Sequence, residues 1–309
     1  MAGEKEPVAK LPLAVRKDYR DGFEAKKEDL AKQISDILGT PWKIDVNPNA
    51  IYAYAEPGSY GHNSLGNCVT AYINGFLYQL QRFVEKNGPE GIAELNTVAH
   101  AHTITLQMFD SPKWNYCGCD ITSEGVFQLL FKPAMLGTNI DDAAAEIAKQ
   151  LSAAPQPASA PKLSYAARHS IKTDYTPKIE EVREQAASEL QNPDIKFEPD
   201  FEELVEKLQD KKWDRWSEDW QWNIGSGILK YFEAFVDVLK REKFGSDDML
   251  QEGFAEAIDK GVIRFRIIPK LPSGYNRSLI ENGELILETD LDNWRVNIDQ
   301  IATKLVDLL

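Results

Sequence analysis

The chain has 309 residues, of which 43% are hydrophobic, and its net charge at pH 7 is -14. This length is sufficient for two ordinary hydrophobic cores and long for one, so we expect two domains. The acidic excess would repel a phosphate backbone or an anionic lipid surface, so nucleic acid and membranes are not expected as partners. Charged first residues and the lack of a bilayer-length apolar run predict a soluble, cytoplasmic protein.

Changes in composition divide the chain into four segments. Residues 1–20 resemble a flexible charged arm, and residues 152–172 are interpreted as a linker. The first part of that linker, 152–162, is rich in alanine, serine and proline and has no apolar period, which is typical of an extended chain. We therefore expect two folded domains, at 21–151 and 173–309.

Each domain begins with the pattern of an amphipathic helix, in which apolar residues spaced by four share one face. These residues are Leu30, Ile34 and Leu38 in the first domain and Val182, Ala186 and Leu190 in the second. A short strand follows, with Ile44 aligned to Ile195. Another helix is expected after Pro48 and Pro199, because a polar cap beside proline favours a helix start. In the first domain, residues 51–54 would also suit a strand.

The longest helices are predicted at 64–87 and 223–243, each with a large apolar stripe that is typical of a core. The stripes are Tyr72, Phe76 and Leu80, and Tyr231, Phe235 and Leu239. Gly88 and Pro89 should end the first of these helices. Alternating residues then predict two strands in each domain, interpreted as an antiparallel pair, before a closing helix. The strands are 98–109 and 126–131, and 262–268 and 284–289.

The two domains align with each other over most of these elements. Leu65 through Arg82 match Ile224 through Arg241 at a constant offset of 159 positions, and Gly125 matches Gly283 at an offset of 158. We therefore predict an internal duplication: two tandem α/β (α+β) repeats, each a small, mainly antiparallel sheet covered by helices. Pairing of the repeats within the chain is expected, and a homo-oligomer is the other option.

The predicted sheets differ in charge. Arg264 and Arg266 share one strand face, and Glu284 and Glu288 share a face of the neighbouring strand, so cross-strand ion pairs are expected. The alternative is an anion site at the two arginines. The corresponding face of the first repeat has no formal charge, which favours contact with a ligand or another protein surface. That face is formed by Thr103, Thr105, Gln107, Val126, Gln128 and Leu130.

A metal site is one interpretation of the first repeat. His100 and His102 alternate on a predicted strand, and Cys117 and Cys119 follow in a predicted loop, so together they could supply zinc ligands. However, their spacing is not an established zinc signature. Histidines packed at a strand end, with cysteines as small hydrophobic residues, are the more frequent outcome. We expect no cofactor, with zinc as the alternative.

A second candidate site is the loop before the long helix, where glycine and a helix start could present backbone N–H groups to an anion. The acid–base candidates are Glu56, His62, His100, His102 and Asp120. The alternative is a loop in which Asn63 or Ser64 caps the helix. No nucleophile elbow, phosphate-binding glycine loop or dinucleotide motif accompanies these residues.

Aromatic residues are the remaining ligand candidates. Trp213, Trp216, Trp220 and Trp222 could stack on a planar ligand or anchor an interface, although such clusters more often fill a core. The ligand-binding candidates are Tyr60, Trp216, Trp220 and Trp222.

Two functional hypotheses follow. The favoured one is a non-catalytic binding or interaction protein whose first repeat carries the surface for a protein or small molecule. The alternative is a small-molecule enzyme or metal-binding protein with a pocket around His62, His100 and His102. Convergence of these histidines with a carboxylate would favour the enzyme.

Overall fold

The computed structural model describes residues 5–110, 112–155, 162–209, 211, 213 and 219–309. The chain divides into two compact units, residues 1–160 and 161–309, and each has a four-stranded mixed sheet with helices. None of the helices in the described ranges combines the length and the apolar character that crossing a bilayer requires.

The first unit begins with α1 (Leu13–Tyr19), which runs through a π-helical turn (Arg20–Glu24) into α2 (Ala25–Leu38). Its remaining elements are, in order, β1 (Lys43–Ile44), α3 (Pro48–Tyr52), α4 (Tyr60–Asn63), α5 (Leu65–Val98), β2 (Thr103–Met108), β3 (Cys117–Ile121), β4 (Phe127–Phe131), a 3₁₀ turn (Ile140–Asp142) and α6 (Ile147–Ala153). Gly88, with φ 60° and ψ -157°, interrupts the helical backbone of α5, as its sequence predicted.

The second unit begins with α7 (Tyr165–Ser170), which also runs through a π-helical turn (Ile171–Tyr175) into the next helix, α8 (Thr176–Leu190). Its remaining elements are β5 (Lys196–Pro199), α9 (Phe201–Gln209), α10 (Ile224–Arg241), α11 (Asp248–Ala257), β6 (Val262–Ile268), β7 (Asn276–Glu281) and β8 (Glu284–Asp290). Short 3₁₀ turns lie at Trp220–Asn223, Phe244–Ser246, Ile298–Gln300 and Val306–Leu308.

The two sheets have the same topology, β1-β2-β4-β3 and β5-β6-β8-β7. In both, the first three strands pair in parallel, and the fourth, β3 or β7, pairs antiparallel with its neighbour. The prediction of mainly antiparallel sheets is therefore wrong. The reason is that β3 and β7, which were not predicted, reverse the chain, so the strands before and after them run in the same direction.

A tight turn joins each of these unpredicted strands to the next. Asn282 and Gly283, with φ of 52° and 75°, connect β7 to β8, as in a type I′ hairpin. At the corresponding turn of the first unit, Gly125 has φ 72° and its N–H donates to the carbonyl of Thr122 at 2.9 Å. Both turns use the left-handed backbone region that glycine adopts without strain.

The predicted aromatic stripes of α5 and α10 are fully buried. In each unit the central tyrosine hydroxyl accepts a backbone N–H from the segment after the last strand: Tyr72 from Gly137 at 3.1 Å, and Tyr231 from Arg295 at 3.0 Å. Each hydroxyl is thereby provided with a partner inside the core, where an unpaired polar group would be costly.

Three predictions about the ends of the units need correction. Residues 1–20 were expected to be a mobile arm, but 13–19 form α1, because Leu11, Val15 and Tyr19 recur at a spacing of four and are buried. The end of the expected linker forms α7, in which Tyr165 is buried. The last helix of the second unit is replaced by 3₁₀ turns. Residues 1–4 of the arm and 156–161 of the linker lie outside the described part of the chain.

Candidate functional site

The histidine candidates lie at opposite ends of the first sheet. The ring of Tyr60, two residues before His62, packs at Gly137, which follows β4, and a Cβ there would lie 3.1 Å from it. The ring of His100 packs on Gly125, which precedes β4, and a Cβ there would lie 2.4 Å from its Nδ1. At about 3.3 Å per residue, β4 separates these two positions by roughly 15 Å. His62 and His100 therefore do not line a common pocket.

The remaining histidine contacts do not join the candidate residues to one another. His100 and His102 lie in the turn before β2 and not on a strand, because His102 takes a left-handed conformation with φ 45°. The His102 Nε2 lies 3.2 Å from the carbonyl oxygen of Asn96, and its ring packs against Trp42. His62 stacks on Tyr52. Glu56 is exposed in the turn before α4.

Cys117 and Cys119 lie in β3, not in a loop, and both are buried. The Cys117 thiol donates to the carbonyl of Asn139 at 3.0 Å. Burial raises the pKa of Cys117 to about 12 and also raises the pKa of Cys119. With no metal bound, both thiols are therefore protonated and unreactive at neutral pH. In the described ranges, no three His, Cys, Asp or Glu side chains form a group that could hold a metal ion.

The tryptophan candidates have different environments. Trp220 is buried in the core of the second unit and stacks on Trp213, with ring centres 5.8 Å apart. Trp222 packs edge-on against Tyr165 and His169. Trp216 lies outside the described residues. Tyr60, in the first unit, is 43% exposed and remains accessible to a ligand.

The expected ion pairs form on the second sheet. Arg264 contacts Glu284 at 2.7 Å, and Arg266 contacts Glu281 at 2.9 Å. Hydrogen bonds from these arginines lower the pKa of both carboxyl groups. The Glu288 carboxylate, which is 1% exposed, lies between Arg266 and Arg277. Because the two arginines of the proposed anion site already have carboxylate partners, the geometry does not favour that site.

The corresponding face of the first sheet is not free of charge, contrary to our expectation. β3 adds Asp120, and the strand register aligns Thr105, Gln128 and Asp120 in one row across three strands. Burial raises the pKa of Asp120. The Thr105 hydroxyl and one Asp120 carboxylate oxygen are buried and, among the described residues, have no hydrogen-bond partner. Polar atoms in that condition are costly unless a ligand or water satisfies them.

The first unit has a cavity of about 330 Å³ where β1 ends. β1 pairs with β2 only at Thr103 and Ile104. Beyond them, the Asp45 N–H still donates to the carbonyl of Ile104 at 2.8 Å, and the chain then turns into α3. In a strand, alternate residues direct their backbone polar groups to the same side, so Leu106 and Met108 direct theirs into the cavity. We find no hydrogen bond from these groups to any described residue.

The walls of this cavity combine apolar and polar side chains. Ile51 of α3 and Met108 of β2 provide apolar surface. Lys5 and Asp45 provide opposite charges, and neither has an ion-pair partner among the described residues. The segment that carries Lys5 is held in place because its backbone N–H donates to the Tyr54 hydroxyl at 2.6 Å. A ligand here would meet two unneutralised charges and an unpaired strand edge.

The same position is filled in the second unit. β5 pairs with β6 for two residues more than β1 does with β2, through Glu198 opposite Arg264 and Pro199 opposite Phe265. Glu198 also forms an ion pair with Arg264 at 2.9 Å. The registers place Arg264 where the first unit has Thr105. At Leu106 the open edge is therefore a feature of the first unit, whereas Ile267, the equivalent of Met108, also lies beyond the β5–β6 ladder.

Sequence reasoning missed most of this site. It considered Thr105 and Gln107 only as parts of an uncharged face, and it did not consider Lys5 or Asp45. No residue pattern indicates where β1 stops pairing, so the open edge had no signal in the sequence.

No family model, no curated protein and no solved structure matches this chain. The chain's own residues and their geometry are therefore the basis for assigning a function.

Proposed function

We propose that this is a non-catalytic binding protein built from two duplicated α/β units, and that the first unit binds a small molecule in the cavity beside β2. The duplication is supported by the shared strand order and registers. It is also supported by the two tyrosine hydroxyls, of Tyr72 and Tyr231, which accept corresponding backbone N–H groups. Agreement at this level of detail is expected of two copies of one ancestral unit.

The unpaired edge of β2 is the observation that carries the binding proposal. Backbone groups that face a cavity without protein partners are left to water, and a ligand with complementary donors and acceptors can replace that water. The cavity lies at the carboxyl ends of parallel strands, where α/β sheets commonly bind ligands. Its volume of about 330 Å³ is at the lower end of the range for small-molecule pockets, which indicates a small ligand.

The composition of the cavity supports binding over catalysis. Its described lining includes one lysine and one aspartate but neither histidine nor cysteine. The histidine candidates lie elsewhere in the unit, so no acid–base pair of the predicted kind lines the cavity. The second unit, in which β5 and an ion pair fill the equivalent space, takes a structural role in this proposal.

The proposal can be tested by NMR with a library of small polar molecules. We expect ligands to shift the amide signals of Asp45, Leu106 and Met108. Thr105→Arg, which introduces the residue found at the equivalent place in the second unit, should abolish these shifts by filling the cavity. Thr97→Arg, at an exposed threonine of α5, is the matched control and should leave them unchanged. The proposal fails if no molecule shifts these amides, or if folded Thr105→Arg protein binds as the wild type does.

A further inference from the structure

We infer that the ligand is a peptide of two or three residues with free termini, which binds in extended form along the open edge of β2. This inference rests on the binding site proposed above.

The strand edge selects an extended backbone. Leu106 and Met108 each offer one N–H donor and one carbonyl acceptor toward the cavity, at the spacing of alternate residues in a strand. A peptide that adds to a sheet edge uses groups of this kind at this spacing. In the second unit, Pro199 of β5 lies opposite Phe265, the equivalent of Leu106, so extended chain fits beside this position.

The charges fix the termini and the direction of the peptide. Asp45 lies just after β1, level with Thr105, and lines the cavity, so its carboxylate can bind the ammonium group of a peptide that runs parallel to β2. Lys5 lies over the ring of Tyr54, which packs against Phe131, the residue opposite Met108. The lysine ammonium is therefore near the other end of the open edge and can bind the peptide carboxylate.

The distance between these ends sets the length of the peptide. Asp45 is level with Thr105, three residues before Met108, and three residues of extended chain span about 10 Å. A peptide of two or three residues fits this interval with both termini near a charge of opposite sign. Ile51 and Met108 offer apolar contact, which favours small apolar side chains in the ligand.

Calorimetric titration of the full chain with trialanine tests this inference. Trialanine should bind, and N-acetyl-trialanine amide, which keeps the backbone but lacks both charges, should bind at least about tenfold more weakly. Trialanine with an N-methylated central residue should also bind more weakly, because it loses a donor to the strand edge. Asp45→Asn should weaken trialanine binding without changing the binding of the blocked peptide. Asp36→Asn, at an exposed ion pair on α2, is the matched control for the loss of one charge.

The outcomes separate the two proposals. Equal binding of the charged and blocked peptides, or unchanged trialanine binding in Asp45→Asn, would overturn the assignment to free-ended peptides. If trialanine does not bind but a molecule from the NMR library still shifts the amides of Leu106 and Met108, the peptide is wrong and the binding site stands. If neither trialanine nor any library molecule binds, both proposals are wrong.

Discussion

Glu288→Gln tests whether the charged face of the second sheet is held together as the structure indicates. The Glu288 carboxylate is 1% exposed and accepts hydrogen bonds from Arg266 and Arg277, each at 2.6 Å. Glutamine has nearly the same shape, but it removes the negative charge and leaves one carbonyl oxygen as an acceptor. One arginine therefore loses its buried partner, and the other keeps a weaker, neutral hydrogen bond.

The expected cost follows from these contacts. A hydrogen bond to a charged group contributes about 1.5–3 kcal/mol, and breaking a buried ion pair costs about 3–5 kcal/mol. The two arginine side chains are 31% and 41% exposed, so water can partly replace the lost carboxylate. We therefore expect the free energy of unfolding of the second unit to fall by about 2–3 kcal/mol, which for a unit of this size lowers its Tm by about 4–12 °C.

Differential scanning calorimetry of the full chain measures this change in the transition of the second unit. Glu284→Gln is the matched control, because Glu284 also pairs with an arginine but is 17% exposed and near the start of its strand. It should lower the Tm less, since both cationic partners of Glu284, Arg264 and Lys260, are 42% and 50% exposed, and pairs open to water contribute little. A Glu288→Gln protein that is no less stable than the Glu284→Gln control would refute the reasoning.

Two further predictions concern the stability of the units. Tyr72→Phe and Tyr231→Phe each leave a backbone N–H in the core without its acceptor, so each should cost about 1–3 kcal/mol in urea unfolding. A cost confined to one of the two tyrosines would contradict their equivalence. Hydrogen bonds from arginine lower the pKa values of Glu281 and Glu284 below the ordinary 4.5, so both carboxylates stabilise the second unit above that pH. This stability should be lost as the pH falls through the lowered folded-state values, and a Tm of the second unit that is constant from pH 5 to about pH 3 would contradict it.

Local patterns predicted four long helices and much of the core. Apolar residues at a spacing of four identified α2, α5, α8 and α10, because such a stripe is stable only when it is buried. The break at Gly88 was also predicted and is confirmed. These features depend on a few neighbouring residues, so they can be predicted from short sequence patterns.

The strands were harder to predict because their pairing is not local. The Asn282–Gly283 turn is a known hairpin signal, and attention to it would have identified β7. β3 had no comparable signal, since Cys117, Gly118 and Cys119 resemble a loop. Gly118 is required there because the ring of Trp114 covers it, and a Cβ would lie 2.3 Å from that ring. Without these two strands, the direction of β4 and β8 could not be derived.

The candidate site was missed because the first strands of the two units were aligned incorrectly from the sequence. The sequence suggested that Ile44 corresponds to Ile195, whereas the registers place Ile44 opposite Ile104 and Phe197 opposite Ile263. Phe197 therefore takes the place of Ile44, a shift of two residues. β5 then continues to pair where β1 has ended, and this difference opens the cavity in the first unit. The length of pairing between β1 and β2 is set by tertiary structure, so the residue pattern alone could not reveal the cavity.

The most direct test of the account is residue-resolved hydrogen exchange of the Leu106 and Phe265 amides, which occupy equivalent positions in the two sheets. If the edge of β2 is open in the first unit, the Leu106 amide should exchange at least about a hundredfold faster than the Phe265 amide, which lies within the β5–β6 ladder. Met108 should behave as Leu106 does. Equally slow exchange of Leu106 and Phe265 would mean that the edge is closed in both units, and the proposed binding site would not exist.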